Sequence, residues 1–135
     1  MRVFLDANVL FSASLARSRM RAFLDVLFQH GECLTSDYAT EEARRNLELK
    51  SPGALPCLDA LVARCELIRG ITTQVGVELK DKDIPILGGA IAGRATHLLT
   101  GDERDFGALF GRTIRGVIIV SPRMLAEELA RQGLF

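Results

Sequence analysis

The order of apolar segments along the chain predicts an α/β protein with a mostly parallel central sheet that helices cover on both faces. Short runs of bulky apolar residues, such as Val3-Phe4-Leu5 and the Val and Ile run at 116–120, are typical of buried strands. Segments with helical apolar spacing alternate with these runs, which implies parallel strands joined by right-handed crossovers. The 135 residues, 48% of them hydrophobic, suit one domain over 1–135.

The elements can be assigned in order from apolar spacing and from residues that end helices. They are a strand at 2–6, a helix at 16–30, a strand at 33–35, helices at 37–49 and 55–64, a strand at 65–69, a helix at 83–95, strands at 98–99 and 116–120, and a helix at 122–132. Ser36 and Ser121 are predicted N-caps, and Gly31 is a predicted C-cap. Pro85 suits the first turn of its helix. The stretch 70–80 has no readable pattern and receives no assignment.

Composition constrains location more than it constrains the substrate. The formal net charge is +0 and the isoelectric point is about 6.7, so no global basic field indicates nucleic acid. Three cysteines without CxxC spacing argue against a disulfide framework and a structural zinc site, as expected in a reducing cytosol. The N-terminus runs directly into a strand, and no apolar stretch reaches 18 residues. We therefore expect a soluble, cytoplasmic protein that does not associate with membranes.

Acidic residues stand where predicted strands end or predicted helices begin. They are Asp6, Glu42, Asp83, Asp102 and Asp105. Asp6 closes the first strand and Asp102 follows the strand at 98–99, and in open α/β sheets ligands bind at that edge. Converging carboxylates repel one another unless a cation lies among them, and hard oxygen ligands suit Mg²⁺ or Mn²⁺. This pattern predicts a metal-dependent phosphodiester hydrolase.

Each of these residues also has a structural alternative. Asp6 and Asp83 stand where helix N-caps are expected, and Asp81 competes with Asp83 for its role. Glu42 could pair with a buried arginine. Asn8 is placed to orient the Asp6 carboxylate from the turn that follows the first strand. The pair Gly88-Gly89 costs about 1 kcal/mol per glycine inside a helix, which indicates close backbone packing there.

Helical geometry separates Glu42 from its neighbour Glu41. At about 100° per residue, Glu42 shares a face with Tyr38, Ala39, Ala43, Asn46 and Leu49. Glu41 instead falls among Asp37, Thr40, Arg44, Arg45 and Glu48. We therefore expect Glu42 to point inward and Glu41 to point toward solvent.

Four motifs, in this order, resemble the PIN domain. They are Leu-Asp-Ala-Asn-Val-Leu at 5–10, Thr-Ser-Asp-Tyr at 35–38 with Glu42 downstream, Asp-Ile-Pro-Ile-Leu-Gly-Gly-Ala at 83–90, and Leu-Leu-Thr-Gly-Asp-Glu-Arg-Asp-Phe at 98–106. The match covers nearly the whole chain and is most similar to small stand-alone prokaryotic members related to VapC-type ribonuclease toxins. It implies a three-layer α/β/α sandwich with an acidic pocket for Mg²⁺ or Mn²⁺. Small residues, often alanine, are usual in the family where this chain has Gly88-Gly89.

The resemblance also implies a role for each site residue. Asp6, Glu42, Asp83 and Asp102 match the family's catalytic, metal-binding acids, and Asp105 matches an auxiliary carboxylate ligand. Asn8 and Thr100 match polar neighbours that support the site. The activity implied is endoribonuclease cleavage of single-stranded or looped RNA, because duplex RNA hides its bases in a deep groove.

The resemblance further suggests partners, and it leaves other functions open. An antitoxin protein and a second copy of the chain are the expected partners, with dimer contacts on the helices after Leu15 and Leu55. A catalytically weak module that binds RNA or protein is the alternative, since aromatic residues make up only 6% of the chain. A phosphatase of small molecules is less well supported, because Asn8 stands where the usual phospho-aspartate arrangement has a second Asp.

Overall fold

A computed structural model describes residues 1–135 and shows six strands and seven α-helices. The strands are β1 (Arg2–Leu5), β2 (Glu32–Ser36), β3 (Glu66–Ile68), β4 (His97–Leu99), β5 (Thr113–Ile114) and β6 (Val117–Val120). The helices are α1 (Ala7–Ser14), α2 (Arg19–His30), α3 (Asp37–Lys50), α4 (Leu55–Ala63), α5 (Ile84–Ala92), α6 (Glu103–Phe106) and α7 (Pro122–Arg131). Two 3₁₀ turns lie at Pro52–Ala54 and Gly107–Leu109.

The strands form one sheet in the order β3-β2-β1-β4-β6-β5. All pairs are parallel except β5 with β6, which run antiparallel at one edge. Phe4 of β1 lies between Leu34 of β2 and Leu98 of β4, and all three side chains are fully buried. Apolar side chains on both faces require helices on both faces, so the α/β prediction with a mostly parallel sheet is confirmed.

The sequence prediction missed the helix that follows β1. The chain turns into α1 directly after Asp6, whereas the helix predicted over 16–30 begins only at Arg19, capped by Ser18. Val9, Leu10 and Ala13 of α1 are buried and the helix has almost no charged face, so it lacks the amphipathic pattern by which helices are recognised. The four-residue α6 and the two-residue β5 are too short to show any periodicity and were also missed.

Gly31 is the C-cap of α2, as predicted, but it adopts an extended conformation, with φ −169°, and not the left-handed one that is common at this position. A Cβ atom there would lie 2.6 Å from the Met1 carbonyl oxygen, so Gly31 is required for space. On α3, Ala39 and Ala43 of the predicted inward face are buried, but Thr40 is buried and Leu49 is 84% exposed, contrary to the prediction. The buried stripe continues from Ala39 and Ala43 to Leu47, which places Glu42 on its flank.

The segment 70–80 has no helix or strand, but it is tied to α5 at the glycine pair. The Thr72 amide donates to the Gly88 carbonyl oxygen at 3.3 Å. A Cβ on Gly88 would lie 2.0 Å from the Thr72 carbonyl oxygen, and a Cβ on Gly89 would lie 3.1 Å from the Phe4 ring. The predicted close packing at this pair is therefore confirmed, and it brings the segment toward the carboxyl edge of the sheet. No helix is long and apolar enough to cross a membrane.

Candidate metal centre

The first half of the site forms where β1 and β4 end side by side. Leu5 pairs with Leu99 in parallel register, and the Asp6 amide donates to the Leu99 carbonyl oxygen at 3.1 Å. Asp6 comes directly after β1 and Thr100 directly after β4. The two residues are therefore neighbours at the carboxyl edge of the sheet. Ligands of open α/β folds bind at this edge.

The Asp6 carboxylate is buried and receives three hydrogen bonds. Oδ1 accepts from the Ala7 amide at 2.6 Å, and Oδ2 accepts from the Thr100 hydroxyl at 2.8 Å and from the Asn8 side-chain amide at 3.1 Å. The Asn8 side-chain oxygen in turn accepts from the Gly101 amide at 2.8 Å. These bonds fix the orientation of the carboxylate and join the ends of the two strands.

The environment of Asp6 raises its pKa to about 6. Burial is the largest cause, since it penalises the charged form, and the hydrogen bonds from Thr100 and Ala7 oppose it. The negative charges of Glu42 and Asp102 raise the pKa further. Asp6 therefore lies close enough to both carboxylates to be affected by their charge.

Three other carboxylates converge beside Asp6. Asp83, Asp102 and Asp105 each contribute one oxygen to a group whose members all lie within 4.8 Å of one another. Asp102 is the N-cap of α6, where its Oδ1 accepts from the Asp105 amide at 3.0 Å. Asp83 occupies the N-cap position of α5, but its side chain makes no capping bond, contrary to the structural alternative. Its Oδ2 is buried without a hydrogen-bond partner.

Burial raises the pKa of Asp83 to about 6, and the neighbouring Asp105 carboxyl group raises it further. A buried carboxylate oxygen with no donor is unfavourable unless a cation or a proton reaches it. The donor set is all carboxylate oxygen, the ligand type that Mg²⁺ and Mn²⁺ prefer. The three aspartates therefore fit a divalent cation.

Two lysines that the sequence analysis did not single out also enter this cluster. Lys82 Nζ lies 2.7 Å from Asp105 Oδ2 and 3.7 Å from Asp83 Oδ1, and Lys80 Nζ lies 2.9 Å from Asp105 Oδ1. The two ammonium groups hold the pKa of Asp105 well below its usual range, and Lys82 has the larger effect. The chain has only three lysines, and two of them lie one and three positions before Asp83, which is the signal that could have indicated them.

The prediction for Glu42 concerned both its direction and its distance from the other acids. Glu42 is half-buried and Glu41 is exposed, as expected. Glu42 lines a groove of about 180 Å³ together with Asn8, Phe11, Asn46 and Lys50. Neither Glu42 nor Asp6 belongs to the three-carboxylate group, so the acids form an inner cluster and two flanking members.

The parallel sheet, its helical layers and the acidic edge define an α/β protein of the kind that binds a ligand beyond its strand ends. No family model matches the chain, and no curated protein matches it by sequence. Solved structures do match its fold. A chain of VapBC2 from Rickettsia felis, bound to a DNA fragment from its promoter, covers 90% of this chain and 98% of its own length, with TM-score 0.67 and 19% identity.

Two further structures extend the comparison. VapC20 of Mycobacterium tuberculosis, a sarcin-ricin loop cleaving toxin, covers 83% of this chain and 98% of its own, with TM-score 0.58 and 12% identity. FitAB bound to the IR36 DNA fragment covers 89% and 94%, with TM-score 0.51 and 20% identity. The chain has the fold of VapC-like PIN domains, as the resemblance implied.

Proposed function

We propose that this protein is a Mg²⁺- or Mn²⁺-dependent endoribonuclease that cleaves single-stranded or looped RNA, and that it is the toxin of a toxin–antitoxin pair. The observation that carries the proposal is the group formed by Asp83, Asp102 and Asp105, whose oxygens lie within 4.8 Å at the carboxyl edge of the sheet. The buried Asp83 Oδ2, which has no hydrogen-bond donor, supports the proposal of a cation at this site. Such a cation can activate water without a His, Ser or Cys nucleophile, none of which has a catalytic pairing in this sequence.

Each acidic residue has a distinct part in this proposal. The inner cluster would hold the ion, with Asp105 as its auxiliary ligand. Asp6 and Glu42 complete the negative field from the β1 and α3 sides. When bound, the ion would lower the pKa of a water molecule and stabilise the charge on the attacking and leaving oxygens. Thr100 and Asn8 hold the Asp6 carboxylate in one orientation, so it would supply a fixed negative charge beside the inner cluster.

The similar structures support the proposed partners. VapBC2 and FitAB were each solved with DNA, and VapC20 is a sarcin-ricin loop cleaving toxin. By analogy, we propose an antitoxin as a protein partner and a looped RNA as a substrate, both in the cytoplasm.

A homodimer is a further part of the proposal. Its contacts are proposed on α2 and α4, which face each other across a groove lined by Arg21, Cys57 and Arg64. Light scattering at tens of micromolar should report the mass of two chains, and a purely monomeric protein would contradict this part.

The activity test compares RNA cleavage by purified protein in Mn²⁺ and in EDTA. Cleavage of a single-stranded or hairpin RNA should require the metal and should be lost in Asp102→Asn, while Glu41→Gln serves as an acidic-to-neutral control on the exposed face of α3. Cleavage that persists in EDTA would exclude the metal mechanism. Binding of RNA without cleavage in any divalent metal would favour the alternative, a PIN-like binding module.

A further inference from the structure

The loop that leads into α5 carries two cations into the proposed metal site. Lys80 and Lys82 are 62% and 56% exposed along their side chains, whereas the Asp105 side chain that both contact is only 5% exposed. Their stems therefore lie in solvent while their ammonium groups reach the buried carboxylates.

The position of Lys82 is built into the fold. The Tyr38 hydroxyl of α3 donates to the Lys82 carbonyl oxygen at 2.9 Å, which fixes the backbone beside Asp83. The loop is tied further back by the bond between Thr72 and Gly88. Val75, between these two ties, is buried in the core. Three contacts therefore hold the loop that carries Lys82. The fold, and not a chance surface contact, brings its ammonium group to Asp105.

We propose that Lys80 and Lys82 are internal counter-cations, which neutralise the carboxylates of the metal-free protein and compete with the divalent ion for Asp105. The inference rests on the proposed function, since it assumes that the aspartate cluster binds metal. Both oxygens of Asp105 lie within 2.9 Å of an ammonium group, so a divalent ion that approaches this carboxylate is repelled by a positive charge unless one lysine moves away. The exposed stems allow that departure, because a displaced ammonium group is rehydrated at once.

Competition has a measurable consequence for metal affinity. A ligand that must displace an occupant binds with an apparent affinity reduced by the fraction of protein in which the site is open. Replacing Lys82 with glutamine removes the charge that contacts both Asp83 and Asp105. The Kd for Mn²⁺ should therefore fall about threefold or more in Lys82→Gln and about tenfold in the double variant with Lys80→Gln, because the two partly exposed pairs act on one carboxylate.

The test is calorimetric titration of metal-free protein with Mn²⁺, which requires no substrate. Lys82→Arg retains the cation and should bind metal as the wild type does. Arg131→Gln is the charge-matched control, because it removes one positive charge from the last turn of α7, at the end of that helix remote from the carboxyl edge of the sheet. In thermal melts without metal, the double variant should unfold at a lower temperature than the wild type, since its carboxylates lose their counter-cations.

The outcomes separate this inference from the proposed function. Tighter Mn²⁺ binding in the lysine variants alone supports competition. A Kd equal to that of the wild type and of Arg131→Gln shows that the lysines form ordinary surface ion pairs, and it overturns the inference while the metal site stands. Weaker binding in Lys82→Gln shows that the lysine helps to form the site and also overturns it. If neither the wild type nor the double variant binds Mn²⁺, the inference and the metal site fail together.

Discussion

Replacement of Asp6 by asparagine should stabilise the metal-free protein at neutral pH. Burial beside Glu42 and Asp102 raises the pKa of Asp6 from its ordinary value of 3.8 to about 6. A shift of about 2 pKa units corresponds to about 3 kcal/mol of unfolding free energy that the charged carboxylate costs the folded state above pH 6. Asparagine has one acceptor oxygen for the donors of Ala7, Thr100 and Asn8, so about 1 kcal/mol is lost with one hydrogen bond.

The net gain should be about 2 kcal/mol at pH 8, and it should disappear in acid. A group whose pKa is raised by folding contributes stability that is fully present below its unfolded pKa and is lost as pH rises through its folded pKa. Asp6 is protonated in both states below about pH 3.8, so the variant then has no advantage over the wild type. The gain in stability of the variant should grow between pH 3.8 and about pH 6. Above about pH 6 it should stay constant.

The assay is urea unfolding in EDTA at pH 4 and pH 8. Asp37→Asn makes the same chemical change on an exposed carboxylate in the first turn of α3. That control should lose about 0.3–1 kcal/mol at pH 8, because it removes a favourable charge from a helix N-terminus. The reasoning is refuted if Asp6→Asn is less stable than the wild type at pH 8, or if its advantage is the same at both pH values.

Three other substitutions or additions test separate parts of the structure. Glu42→Gln should abolish Mn²⁺-dependent cleavage while Glu41→Gln leaves it nearly unchanged, and the reverse result would show that the flank of α3 is wrongly assigned. Gly88→Ala should destabilise the protein by about 1–3 kcal/mol in urea unfolding despite the higher helix propensity of alanine, because its Cβ would overlap the Thr72 carbonyl oxygen. Gly53→Ala, where a Cβ meets no atom within 4 Å, is the control and should be close to neutral. Mn²⁺ at a hundredfold excess over Kd should stabilise the wild type by about 2.7 kcal/mol in thermal melts, and no shift at saturation would argue against a metal site.

The sequence was informative wherever a local pattern had a single structural solution. The strand-end position of Asp6 follows from a buried apolar run and a polar stop, and the direction of Glu42 relative to Glu41 follows from helix geometry. The phase of the rest of α3 was less well determined. Leu49 lies in the last turn of α3 together with the buried Leu47, and its exposure is decided by what the neighbouring elements cover and not by hydrophobicity.

The contacts of the lysines could not be predicted in the same way. Lys82 reaches Asp105, 23 positions away in the chain, only because Gly88 accepts the backbone at Thr72 and Tyr38 holds the loop near α3. Each of these contacts joins segments that share no periodicity. A stretch without regular structure takes its path from tertiary contacts, so its own residues carry little local signal.

The sheet order has a consequence for when the site can form during folding. Val3 of the central strand β1 pairs with His97 of β4, 94 positions along the chain, so the middle of the sheet closes only through a very long loop. Folds dominated by such distant pairings fold slowly, because the entropy of loop closure must be overcome before the contacts stabilise the chain. Asp6 directly follows the early strand β1, and Asp102 follows the late strand β4. A chain synthesised only as far as α5 therefore has no assembled acidic cluster, and a nuclease with this topology would be inactive until β4 and α6 have been made and have paired with β1.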